Sequence, residues 1–204
     1  MATTTGSKPA SSKTGKSDSI FNWDSQNNGA LVGAAVAGAA VGFAANLGRK
    51  LVMQMTSASA GDWVEALKAE HKLTLAIFEK IEATDDSQTI MRSHLLAKLK
   101  YALSKHAIEE EMVVYPALRQ HGEAAEADKL GSEHGYVKTY LYELENMAND
   151  DPAWLQRVRD FHAMIKEHMR EEEEEIFPRF RSRMSAEENA KITHAMNKEG
   201  FKFA

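Results

Sequence analysis

The sequence predicts an all-α protein whose main body is an antiparallel, up-down-up-down four-helix bundle. Three observations point there. From about residue 62 onward, apolar residues recur three and four apart, which lines them along one face of each helix. Four of these runs are long and are joined by short polar links, as in a bundle. Only four prolines occur in 204 residues, which favours long helices.

The elements follow in chain order. Residues 1–28 form a Ser/Thr/Lys-rich tail, too poor in apolar side chains to offset its ordering entropy. Residues 29–58 are expected to form an Ala/Gly-rich apolar helix. Between 30 and 47 it holds eight Ala, three Gly, six large apolar residues and one Asn. That run just reaches the roughly 18 residues of a membrane span, and Arg49 and Lys50 follow it as interfacial anchors would. Its small residues, Ala34, Gly38 and Gly42, recur four apart and equally suit close helix–helix packing in a homo-oligomer. It starts some 30 residues in, too far for a cleaved signal peptide.

The bundle is expected over 62–184, with a short helix and tail over 185–204. Helix A runs from about Asp62 to Ala83, with Val64, Leu67, His71, Leu75, Phe78 and Ile81 on one face. Helix B begins after the capping cluster Asp85-Asp86-Ser87 and continues to about His121. Helix C covers about Glu123 to Ala148. Helix D opens with Asp151 as cap and Pro152 in its first turn. Helix E follows Ser185, with Glu188 completing a capping box.

Composition removes several function classes. There is no cysteine, so disulfides, thiolate zinc sites, iron–sulfur clusters and cysteine nucleophiles are excluded. Any metal must be held by nitrogen and oxygen. The net charge of −5 argues against nucleic acid as the main partner. No glycine-rich phosphate loop or serine-hydrolase elbow is present.

An internal repeat locates the chemistry. His106-Ala-Ile-Glu-Glu-Glu-Met-Val-Val-Tyr-Pro116 in helix B matches His168-Met-Arg-Glu-Glu-Glu-Glu-Glu-Ile-Phe-Pro178 in helix D, 62 residues on. Glu70-His71 and Glu133-His134, 63 residues apart, repeat in the helices before them. His71, His106, His134 and His168 each take a seam position otherwise filled by Leu, Val or Phe, and Glu110 and Glu172 take the next. A lone histidine on such a face is usually an ordinary core residue. Four with two matched carboxylates are different. Burying those carboxylates uncompensated costs several kcal/mol each, the seams offer no Lys or Arg to pair with them, and a bound cation removes the cost. Residues four apart on a helix are close enough to share one metal or a metal pair.

These residues resemble the hemerythrin-like HHE cation-binding domain family across about residues 62–182. The resemblance implies a four-helix bundle holding a non-haem di-iron centre bridged by carboxylates. The implied metal ligands are His71 from helix A, His106 and Glu110 from B, His134 from C, and His168 and Glu172 from D. Oxygen-carrying hemerythrins have a second helix C histidine where this chain has Lys138, and their helix D carboxylate would fall at Glu173. These departures point away from reversible oxygen carriage. Glu109, Glu171 and Glu173 are alternative ligands, which the repeat disfavours. His94, His121, His162 and His194 match no ligand position, and Tyr101, Tyr136 and Tyr140 are given no redox role.

Four imidazoles and two carboxylates suit Fe, Mn or Zn, and the resemblance selects two iron ions. The expected function is a metal-binding protein that binds or removes dioxygen, peroxide or nitric oxide, with catalase-like turnover as one form. The alternative is an iron sensor or storage protein without turnover. A cytoplasmic location is expected, with inner-membrane association through 30–47 as the competing arrangement.

Overall fold

The computed structural model describes Met1 and residues 61–203. The tail and the Ala/Gly-rich helix, with the membrane and oligomer readings attached to it, lie outside the described residues. Among the described residues, all regular structure is helical, and no helix is long and apolar enough to cross a membrane.

Helix α1 spans Trp63–Glu82. Gly61, at φ 109°, turns the chain into it, and the Asp62 carboxylate accepts from the Val64 and Glu65 amides, satisfying two otherwise orphaned donors. Helix α2 spans Thr89–Glu109. The expected Asp85-Asp86-Ser87 cap does not cap it. Gln88 holds that position without a side-chain bond, and Asp85 instead accepts from the amide and hydroxyl of Ser87.

Helix B was expected to run unbroken to His121, yet it changes form. A π-helical turn occupies Glu110–Val114, followed by α3 over Tyr115–Gln120. The same device recurs downstream. Helix α5 covers Trp154–Glu171, a π turn covers Glu172–Ile176, and α6 covers Phe177–Arg183. Pro116 and Pro178 provide the cause. Each lacks an N–H and presses its ring on the carbonyl four residues back, and one wider turn relieves that clash.

Between them, Gly122 at φ +86° ends α3 and leads into α4, Ala124–Asn146. Asp151 stands before α5, where it accepts from the Ala153 amide, and the helix itself begins two residues later than Pro152 suggested. The last helix, α7, runs from Ala186 to Phe203 and is 18 residues long, so the expectation of a short helix and tail was wrong. Its Ser185–Glu188 capping box forms as expected.

Helix α1 packs on α2 and α5, and α4 packs on α5 and α2, while α7 lies along α1, α2 and the first π turn. Two apolar cores result. One gathers Trp63, Leu67, Leu118, Leu130, Phe177, Phe180 and Met196. The other gathers Phe78, Leu99, Leu141, Trp154, Phe161 and Ile165. In each of the four helices that carry a seam histidine, counted with the π turn that continues it, the histidine falls between residues of the two cores, so the polar layer is sandwiched between apolar ones. At the far end, buried Arg92 donates to Thr84, Asp86 and the Asn149 carbonyl and lies 5.2 Å from the Trp154 ring centre, tying two loops together.

Candidate metal centre

All six seam residues meet in that layer, and none is more than 5% exposed. Glu110 Oε2 lies 3.1 Å from His106 Nε2 and 3.3 Å from His134 Nε2. Glu172 Oε2 lies 3.4 Å from His71 Nε2 and 3.5 Å from His168 Nε2. Each carboxylate therefore spans the two halves of the repeat. Donor atoms of His71, His106, Glu110 and Glu172 fall within 4.8 Å of one another, and so do those of Glu110, His134 and His168. Two overlapping donor groups share Glu110.

The residues fit a cation. Among the described residues, Glu110 Oε1, Glu172 Oε2 and His168 Nε2 are buried with no hydrogen-bond partner, an arrangement that costs free energy unless something satisfies it. His71 Nε2 and His106 Nε2 face each other at 2.9 Å. Inward nitrogens and carboxylate oxygens that can give up their protons to a cation are what a metal needs.

The outer ring nitrogens are equally ordered. Each histidine donates Nδ1–H to a carboxylate: His71 to Glu173 at 2.7 Å, His106 to Glu70 at 3.2 Å, His134 to Glu111 at 3.0 Å and His168 to Glu133 at 2.7 Å. This holds Nε2 inward with its lone pair free, the usual support for a metal-binding imidazole. Glu173, weighed as a ligand, is thus a partner of His71. Glu171 pairs with Lys129 near the surface, and Glu109 faces Lys105. Lys138 reaches Glu111.

Sequence reasoning missed the role of these four carboxylates, although their signal was present. Glu70 and Glu133 directly precede seam histidines, and Glu111 and Glu173 directly follow seam glutamates. One residue off the seam, each reaches a neighbouring helix.

It also missed Tyr115. The π turn bonds the Tyr115 amide to the Glu110 carbonyl five residues back, which swings the phenol under the glutamate. Its hydroxyl lies 2.9 Å from Glu172 Oε1, 3.2 Å from Glu110 Oε2 and 3.1 Å from His134 Nε2. The repeat places Phe177 there, so the hydroxyl breaks the symmetry. Burial and then the charges of Glu110 and Glu172 hold this phenol well above its ordinary range.

Without metal, the charges lean on one another. Burial pushes the Glu110 carboxyl up, but the His106 charge outweighs it and holds it well below its usual value. Burial would lower His168, yet Glu172 and Glu133 raise it to about 8. A small cavity of about 10 Å³, room for about one water, adjoins His106, His134 and His168 and is otherwise lined by apolar groups such as Leu103, Val137 and Met169. Such a layer excludes bulk water and admits only small molecules.

Residues 62–180 match the family model of the hemerythrin HHE cation-binding domain. Among curated relatives, a Nostoc protein named DNA nickase is 24% identical over 124 residues, covering 61% of this chain and 35% of the relative. An uncharacterised hemerythrin-like protein of Schizosaccharomyces pombe is 26% identical over 128 residues, 61% of this chain and 62% of the relative. The chain thus spans less than two thirds of either relative's length. No solved structure matches it.

Proposed function

The chain belongs to the hemerythrin HHE cation-binding domain family, and from that premise we propose that it is a non-haem di-iron protein that binds or removes dioxygen, peroxide or nitric oxide. The observation that carries this reading is the pair of overlapping buried donor groups, in which Glu110 Oε1, Glu172 Oε2 and His168 Nε2 have no hydrogen-bond partner among the described residues. In it, within an antiparallel bundle, His71 and His106 would hold one ion and His134 and His168 the other, with Glu110 and Glu172, each near one histidine of both halves, serving both. A reduced metal pair would supply electrons and open positions to a small oxidant.

The chain's own groups do the rest. The four outer carboxylates fix the imidazoles. The Tyr115 hydroxyl can lend its proton to Glu172 or Glu110. The small, largely apolar cavity beside His106, His134 and His168 suits a ligand of a few atoms rather than a bulky organic substrate. The nickase name of the Nostoc relative is not carried over, because the match covers about a third of that protein and the chain's net charge is −5. The reading places the chain in the cytoplasm and leaves membrane association or self-association to residues 30–47, to be decided by fractionation.

The test is metal content per chain after anaerobic purification, followed by Fe(II) loading and peroxide. The proposal expects two ions, a near-ultraviolet absorption change and oxygen release or peroxide loss. Two ions with a large metal-dependent melting shift, but inertness to peroxide, dioxygen and nitric oxide, favours the sensor or storage reading. That alternative draws on the same buried carboxylates, which make the stability of the bundle depend on metal.

A further inference from the structure

Around the site, the two halves of the repeat differ most beneath the C-terminal helix. Gly200 of α7 is buried, and a Cβ there would overlap Glu109 Oε1 outright, with Glu109 Cδ at 2.9 Å and Lys105 Nζ at 3.2 Å. The helix backbone is therefore seated on the Glu109 carboxylate. Lys105 Nζ donates to Glu109 Oε1 at 2.6 Å and to Glu70 Oε1 at 2.5 Å. The other oxygen of Glu70 accepts from His106 Nδ1. An unbroken chain of contacts thus runs from Gly200 through Glu109, Lys105 and Glu70 to a histidine of the candidate centre.

Among the described residues, nothing equivalent is built in the second half. There the repeat places Glu167 where Lys105 stands and Glu171 where Glu109 stands. Glu167 is bonded to Arg170 on an exposed surface, and Glu171 is partly exposed and paired with Lys129. Lys105 and Glu109, by contrast, are 4% and 0% exposed. An ammonium and two carboxylates buried together keep favourable geometry only while packing holds them in place. Helix α7 supplies that packing.

We propose that α7 is a docking cover for the His71–His106 metal position: seated through Gly200, it fixes Lys105 and Glu70 and so holds His106 for the ion. This rests on the metal-binding reading above. Lys105, Glu109 and Gly200 are positioning residues, since none points a donor atom into the centre. Removing an outer partner of a metal-bound imidazole typically lowers metal affinity 10–100-fold. By thermodynamic reciprocity, metal at this position tightens the docking of α7 by the same factor. Loading is thereby converted into a change at a surface helix more than one side chain away from the metal.

The test uses the full chain, Fe(II) under anaerobic conditions, and trypsin, for which Lys191, Lys198 and Lys202 offer sites on α7. In the wild type, Fe(II) should slow cleavage within α7 by about 10–100-fold relative to chelated protein. Gly200→Leu should be cleaved at the same rate with and without Fe(II). It should bind one of its two ions about 10–100-fold more weakly and the other as the wild type does, which also shows that its bundle is folded. A wild type that binds two ions with no change in α7 cleavage overturns the inference and leaves the metal-binding reading standing. So does a Gly200→Leu protein whose two ions bind as in the wild type, whether α7 is released or not. Should that variant fail to fold, the wild-type cleavage measurement decides alone. A wild type that binds no Fe(II) sinks the metal-binding reading itself, and the inference with it.

Discussion

Glu110→Gln keeps the shape of a side chain that both donor groups share and removes its charge. Glu110 Oε2 is 3.1 Å from His106 Nε2 and 3.3 Å from His134 Nε2, one histidine from each half. A neutral amide presents only one weak acceptor there, so both ions should be lost or greatly weakened. At a free Fe(II) concentration about 100 times each dissociation constant, two ions stabilise the fold by roughly 5 kcal/mol. For a protein of this size that is on the order of 15 °C in melting temperature. The wild type should therefore melt about 15 °C higher with Fe(II) than with chelator, and Glu110→Gln should show a shift near zero. His168→Ala and His106→Ala each remove one imidazole from one half, so each should lose one ion and keep roughly half of the shift. Metal content after gel filtration checks the count independently. His94, exposed at the surface, serves as the control, and His94→Ala should behave as the wild type. Should Glu110→Gln keep both ions, or lose only one while His168→Ala loses two, the carboxylate does not bridge and the assignment of shared donors is wrong.

Tyr115→Phe should fit without strain, because Phe177 occupies the equivalent place fully buried. In chelated protein it leaves Glu172 and Glu110 less satisfied and should cost about 2 kcal/mol by denaturant unfolding. With Fe(II) bound the cost should fall by half or more, since the cation then neutralises the carboxylates, and an equal cost in both states would count against that role. In the chelated protein His168 alone should account for a loss of about 2 kcal/mol between pH 6.5 and 8. It is raised from 6.5 to about 8, so its contribution is complete below 6.5 and gone above 8. Glu109, raised to about 8 by burial and then by the Glu70 charge, loses its contribution from about pH 4.5 up to 8, and His106, which burial would lower but Glu110 and Glu70 raise, adds to the loss. Glu110, Glu133 and Glu173 are lowered and withdraw their support only as pH falls below about 4.5. Fe(II) binding should strengthen over that upper window, because metal competes with protons, so stability curves with and without metal that run parallel would refute the assignment. Arg92→Met removes the donors of Thr84, Asp86 and the Asn149 carbonyl and should cost about 2–4 kcal/mol while metal content stays unchanged.

Much of this protein is written in local periodicity. His71, His106, His134 and His168 betray themselves by standing where Leu or Phe would otherwise stand, and a face of a helix needs only its own spacing to be read. The same is true of the Ser185–Glu188 box, which is closed within a single turn. The π turns were not read from the sequence. Pro116 and Pro178 mark a disturbance, but whether a helix answers a proline by ending or by widening depends on what packs around it, and here buried Glu110 and Val114 continue the seam.

Spacing along one helix determines which side chains share a face, and that suffices to choose the helices and the six inward residues of the seam. It carries no information on which neighbour a side chain one position off the seam will meet. Glu173 could be a ligand or a partner of His71 until α1 and α5 are packed together. Lys105 looks like a solvated charge until α7 covers it, and Tyr115 looks like a core aromatic until a widened turn aims its hydroxyl at two carboxylates. Lys105 meets Glu70 across 35 positions, Tyr115 meets Glu172 across 57 and Glu173 meets His71 across 102. The geometry of these contacts is set by the rotation of one helix against another, and only tertiary packing decides that.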